Sequence, residues 1–416
     1  MKDAATDATE PARPAKPAKP KNAQRTALLG AMFLMATSAI GPGFIAQTTT
    51  FTVQLGAAFA FAILISILVD IAVQLNVWRI IGVSGMRTQE LGNKVLPGIG
   101  WVLSVLVFIG GMVFNIGNIA GTGLGANAML GVDPKIGGGI SAVIAILIFL
   151  SKRAGMALDR IVVMLGAVMI LLMLYVAIVA APPVGDALRN TVMPEQVDIL
   201  VITTLVGGTV GGYITYAGAH RMIDSGIRGE GAVKQISRIS VLGIIVTGIM
   251  RVLLFLAILG VVAGGVALTT DNQAAEAFQH ASGEIGMRLF GIILWAAAVT
   301  SVIGASYTSV SFITKTDGSP RRRNLLTVAF ITVCGVVYLF LGQAPQTLLV
   351  FAGAFNGLIL PIGFAVLLWV TLRRRDLLHG YRYPVWLIVI GVAVWLVTLF
   401  LAYNSFAPAI ELMTGA

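Results

Sequence analysis

The chain has 416 residues, of which 57% are hydrophobic and only 11% charged, with a mean hydropathy of +0.92 and a net charge of +10. Apolar runs of about 20 residues, the length a helix needs to cross a bilayer, recur from end to end and indicate a polytopic membrane protein. The single cysteine, Cys334, excludes a disulfide framework and a cysteine-ligated metal cluster, and three histidines leave little for a histidine-based one.

In chain order, residues 1–25 (MKDAATDATEPARPAKPAKPKNAQR) come first, rich in Ala, Pro and Lys and without an apolar run. Such a segment cannot bury enough surface to fold, which predicts a disordered basic cytoplasmic tail. No short apolar core with a small-residue cleavage site stands apart from the first long helix, so a cleavable signal is not expected. Residues 26–416 then form one all-helical membrane domain. Spans 1 to 11 are predicted near 27–54, 57–80, 97–130, 136–151, 160–181, 199–219, 236–264, 285–313, 324–342, 346–372 and 383–405.

Charge tests that count. With the N-terminus inside, the tail and the inner loops hold 24 of the 28 Lys and Arg residues; only Lys135, Arg189 and Arg288 fall outside, and Arg251 lies within a span. This is the positive-inside pattern, so the basic balance is a topology signal and no nucleic-acid partner is implied. The expected setting is a bacterial-type inner membrane with a cytoplasmic N-terminus.

Two spans carry breaks. Gly41-Pro42-Gly43 interrupts span 1, where Pro removes a backbone N–H, clashes with the preceding turn, and is flanked by the residue type least suited to helices after Pro itself. Span 6 holds VGGTVGGY, Val206 to Tyr213. Unwound backbone in a membrane is tolerated only where protein or a water-filled cavity covers it, and paired broken helices point to a transporter's binding site. Breaks in the first and sixth helices are what two inverted repeats of five predict, with the eleventh helix appended. Gly41-Pro42-Gly43 should then face Gly211-Gly212 near mid-membrane.

The residues also resemble a known family over nearly the whole chain after the tail. GPGFIAQTTTF with VQLNVWRIIG at the end of span 2, NIGNIAGTGLGANAMLGVDP in span 3, GGTVGGYITYAG in span 6 and LILPIGFA in span 10 are similar to the matching segments of the NRAMP (natural resistance-associated macrophage protein) divalent-metal transporters. The resemblance implies a LeuT-type 5+5 fold and secondary-active transport. It also implies a divergent branch. The family's metal-binding Asp falls on Gly41 and its Asn on Phe44, while Pro42 and Gly43 are retained. Its metal-binding Met falls on Gly211, the next Pro on Gly212 and its His on Tyr213; the acids of its proton route fall on Asn115 and Asn118.

A divalent ion sheds hydration only for oxygen or sulfur ligands, which Gly and Phe side chains do not supply. What the breaks offer is free carbonyls at the ends of the first half-helices and free N–H groups, at a positive dipole end, at the starts of the second halves. Gln47, Thr48 and Thr49 after the first break and Thr209, Tyr213 and Thr215 around the second add directional hydrogen bonds. These features suit a small organic solute bearing a carboxylate, and the family's bacterial members with this first helix, often found beside 5-oxoprolinase subunits, suggest 5-oxoproline or a similar acid. Divalent-metal (manganese, iron or magnesium) transport through a rebuilt site is the rival, and a non-transporting sensor or scaffold a third reading. No GxxxxGK(S/T) phosphate loop and no GxSxG or HExxH stretch marks a pump or a hydrolase, so neither an enzyme nor a cofactor is expected.

Each site residue also has a structural reading. Asn115 and Asn118 either join helices or line the path; Thr48 to Thr50 either face the solute or bond their own helix; Phe44 and Tyr213 either gate or pack. Asp70 and Arg251, each mid-span, form either a structural pair or a device for coupling to protons or sodium. Nothing but membrane depth links Asp70 to the breaks in the sequence. Polar Ser306 to Ser309 of span 8 and Asn356 of span 10 are further candidates that the sequence leaves undecided.

Overall fold

The computed structural model describes residues 41–314 and 319–414. The predicted tail and the half of span 1 before the break lie outside these residues. Fourteen α-helices are described: α1 (Pro42–Leu55), α2 (Phe59–Ser84), α3 (Thr88–Val95), α4 (Ile99–Leu130), α5 (Pro134–Leu150), α6 (Lys152–Val179), α7 (Val184–Val192), α8 (Ile199–Val210), α9 (Gly212–Asp224), α10 (Val233–Ala263), α11 (Gln273–Ile313), α12 (Pro320–Phe340), α13 (Pro345–Arg373) and α14 (Val385–Thr414).

All eleven predicted spans are represented, span 6 as α8 followed by α9. Each follows from a long apolar run bounded by Gly or Pro. Pro134, Pro320 and Pro345 each open a helix at a position where the missing N–H costs nothing. Gly85 and Gly131 close α2 and α4 in the left-handed conformation. Two helices were not expected, α3 and α7, both too short and too polar to register as spans; α3 is started by the Glu90 carboxylate, which accepts from the Arg87 backbone N–H at 2.9 Å. Span 8 begins earlier than predicted because a helical segment from Gln273 leads into it across Gly283, whose φ of 70° marks a kink.

The packing shows the inverted repeat directly. Contact of α2 with α8 is matched by contact of α10 with α1, that of α4 with α5 by α11 with α12, and that of α4 with α13 by α11 with α6. The pairs α2–α10 and α4–α11 map onto themselves, as a pseudo-two-fold axis requires. Large apolar side chains such as Met164, Leu171, Ile178, Phe340, Trp386 and Phe400 stand exposed around the perimeter, where lipid would cover them. Several polar side chains, Gln47, Thr48, Asn115, Asn118 and Asn356 among them, are buried around the breaks.

Candidate functional site

At the first break Gly41 is extended (φ −77°, ψ 171°) and Pro42 occupies the first helical position of α1. The first turn closes through the Ile45 N–H to the Gly41 carbonyl at 3.4 Å. Among the described residues, the nearest atom to a Cβ on Gly41 would be Ser301 Oγ, at 3.7 Å. Phe44, Gln47, Thr48 and Thr49 are all buried. Thr48 donates to the Phe44 carbonyl at 2.8 Å and so bonds its own helix. Gln47 is different. Its Nε2 donates to the Leu349 carbonyl of α13 at 3.3 Å, and its Oε1 is buried without a partner. The amide fits because Gly208 and Gly353 flank it; a Cβ on either would come within 2.4 Å of it.

The second break is a single residue, Gly211 (φ −53°, ψ 168°), which ends α8 and starts α9. Its neighbours press close: a Cβ would stand 2.1 Å from the Gly207 carbonyl oxygen and 2.7 Å from Asn356 Cβ, and one on Gly212 would meet Ile359. Sequence reasoning expected free N–H groups here, and the Tyr213 N–H is taken. Asn356 Oδ1 accepts it at 3.0 Å, while Asn356 Nδ2 donates to the carbonyls of Gly110 at 3.2 Å and Ala352 at 2.9 Å. The Tyr213 hydroxyl donates to the Ala305 carbonyl at 3.0 Å, and its ring lies 5.8 Å from that of Phe114. Thr209 donates to the Leu205 carbonyl, again within its own helix.

Helices α1 and α8 run antiparallel, joined by Gln54 Nε2 and Asp198 Oδ2 at 3.5 Å near one end and by Gln47 against Gly208 near the breaks. Helix α4 passes both: Gly111 packs on Tyr213 and Ser309, Gly121 on Pro42. Between them, Asn115 Nδ2 donates to Ser306 Oγ at 2.9 Å, which joins α4 to α11; Asn115 Oδ1 and Asn118 Nδ2 are buried without partners. Thr49, Thr204, Thr215 and Ser309 hydroxyls share that condition. Buried polar groups are normally satisfied, so such a concentration at the breaks calls for an occupant. Ser309 and Asn356 had no signal in the sequence beyond being polar in an apolar run.

Asp70 and Arg251 are not remote from the breaks after all. They line one cleft with Thr209, and the Arg251 guanidinium lies 4.7 Å from the centroid of the Phe44 ring. Both are buried, and no N–O approach within 4.0 Å joins them into an ion pair. On the side assigned to the cytoplasm, His220 Nε2 accepts from the Thr88 N–H at 3.1 Å, Arg221 donates to the Gly304 carbonyl and Thr308, and Arg87 pairs with Asp224 at 3.2 Å. These contacts tie the end of α9 to α11 and to the start of α3.

Comparison with known proteins agrees with this architecture. Residues 32–408 match the model of the Nramp family, natural resistance-associated macrophage protein-like. An uncharacterized membrane protein of Bacillus subtilis, YcsG, is 52% identical over 89% of this chain and 91% of its own length. One from Haemophilus influenzae is 51% identical over 92% and 95%. Among solved structures, a variant of an Eremococcus coleocola manganese transporter superposes with a TM-score of 0.70 at 18% identity, over 95% of this chain and 89% of that one. MhsT in complex with L-phenylalanine gives 0.60 at 18% identity, over 92% and 98%. The fold is thus the LeuT-type fold of secondary transporters.

Proposed function

The chain belongs to the Nramp family, and on that premise we propose that it is a secondary-active transporter of a small organic carboxylate, such as 5-oxoproline, rather than of a metal ion. The observation that carries this reading is the lining of the breaks. Gly41, Phe44 and Gly211 supply no carboxylate or thioether, and the buried groups left without partners around them are amides and hydroxyls, Gln47, Asn115, Asn118, Thr215 and Ser309 among them, together with the Arg251 guanidinium and one carboxylate oxygen, Asp70 Oδ1. Among the described residues no group of three His, Cys, Asp or Glu stands close enough to hold a metal. Neutral donors and acceptors replace the hydration of an organic solute well and that of a bare divalent ion poorly.

The fold itself accommodates either cargo. One structural neighbour is a manganese transporter and another was solved with L-phenylalanine, which carries a carboxylate. Membership and fold are those of transporters, not of enzymes. The protein sits in a bacterial inner membrane with its N-terminus in the cytoplasm, as the distribution of Lys and Arg supports. Uptake draws on a co-transported ion, with the buried Asp70 as the one carboxylate beside the breaks among the described residues.

Proteoliposomes test the reading. Saturable uptake of labelled 5-oxoproline, stimulated by an inward proton gradient and insensitive to excess manganese, is the expected result. Saturable manganese uptake without carboxylate uptake would overturn it.

A further inference from the structure

Arg251 of α10 is 3% exposed, deep within a membrane span. A charge in such a place is costly unless it is paired and hydrogen-bonded. Yet its Nε and Nη2 are buried with no hydrogen-bond partner. These two nitrogens form one edge of the guanidinium, the edge whose parallel N–H groups grip a carboxylate in two charge-assisted bonds. Phe44 covers one face of the group at 4.7 Å and so holds its plane. Asp70, the charge that acts on it, lies beyond ion-pair distance and has a buried Oδ1 that is itself unpartnered.

The surrounding groups do not fill the edge. Ser66, Thr209 and Thr247 line the cleft with the two charged residues, and each donates its hydroxyl proton to a carbonyl of its own helix. The cleft admits little more than a water-sized group. That is the size of a single carboxylate oxygen, so a two-oxygen grip on the edge requires the cleft to open by about one more oxygen. Phe44 lies three residues past Gly41, so a solute anchored on Arg251 would lie beside the first break.

We propose that the free edge of Arg251 is the anchor for the carboxylate of the transported solute, with Phe44 packed against the guanidinium at the first break. This rests on the carboxylate reading above and adds to it a residue, a geometry and a reason for selectivity. A neutral amide of the same shape offers only one acceptor and no charge.

The test measures equilibrium binding of 5-oxoproline and of its neutral carboxamide to purified protein, for the wild type, Arg251→Lys, Arg251→Gln and the doubly neutral Asp70→Asn/Arg251→Gln. The wild type should prefer the acid by roughly 10- to 100-fold, the worth of a charge-assisted bidentate contact. Arg251→Gln should bring acid affinity down to that of the amide while leaving the amide unchanged, and Arg251→Lys, which keeps the charge but not the fork, should fall between. If Arg251→Gln does not fold because Asp70 is left alone, the double variant, which buries no charge, gives the same comparison. Equal weakening of both ligands, or an unchanged preference for the acid, would overturn the assignment of Arg251 while leaving carboxylate transport standing. Absence of binding by the wild type to either compound would overturn both.

Discussion

The two breaks read alike in the sequence, a pair of glycines in an apolar run, and differ in the folded protein. The second is closed. Gly211 has neighbours on every side, the Tyr213 N–H is capped by Asn356, and the Tyr213 hydroxyl is tied to α11. At the first, the nearest described atom to a Cβ on Gly41 is Ser301 Oγ, and the guanidinium of Arg251, with its unpartnered edge, stands against Phe44 in the same first turn. Similar local propensities therefore sit in different surroundings: one break is held shut by side chains from α13, and the other lies beside an unpartnered guanidinium edge.

The largest expected effect separates them by packing. Gly211→Leu must displace the Gly207 carbonyl and Asn356, at a cost of about 3 kcal/mol or more, and should yield little folded protein by size-exclusion chromatography. Gly41→Ala meets no such obstacle among the described residues and should melt within about 2 °C of the wild type. Equal tolerance at both glycines would abolish the distinction. Next comes Asn356→Leu, which leaves the Tyr213 N–H buried and unpaired, an expected loss of about 1–3 kcal/mol in detergent unfolding. A variant as stable as the wild type would show that water replaces the amide.

Much of this was legible beforehand and some was not, for a physical reason. Apolar run length is a local property, so the spans, the start of α1 at Pro42, the break at Gly211 and the repeat could be read from the chain. Short polar α3 and α7 could not, because nothing in their length or hydropathy distinguishes them from loops. The roles of Asn356 and Arg251 depend on partners far along the chain, 143 residues away in the case of Asn356 and Tyr213. Thr48 and Thr209 show the reverse: their hydroxyls could face a solute or their own helix, and they bond their own helix.

A smaller effect sharpens the account at the first break. A carboxylate on Arg251 adds a second negative charge near Asp70, and two carboxylates on one guanidinium in a low-dielectric site favour uptake of a proton. Arg251 is the charged group facing Asp70 from the helices packed against it; α8 presents Thr209 there. Asp70→Asn should retain 5-oxoproline binding within about threefold, less than the loss of one ordinary hydrogen bond, and lose the stimulation of uptake by a pH gradient. Unchanged gradient dependence would place the proton elsewhere.

The smallest effect belongs outside the membrane. In the link between α13 and α14, hydrogen bonds from the Arg374 guanidinium hold the Asp376 carboxyl below its usual range. Because the folded value is the depressed one, the pair stabilises above the unfolded value near 3.9 and ceases to as pH falls through the folded value. Asp376→Asn should lower the melting temperature slightly at pH 7 and not at all under strongly acid conditions, since an exposed pair contributes little.

The central claim is that the breaks receive an organic anion and not a divalent ion, and a thermal-shift titration of the purified wild type addresses it most directly. A ligand at 100 times its dissociation constant stabilises the native state by about 2.7 kcal/mol. The account predicts a concentration-dependent rise in melting temperature with 5-oxoproline or a related small carboxylate and none with manganese up to millimolar concentration. A saturating rise with manganese alone would contradict it.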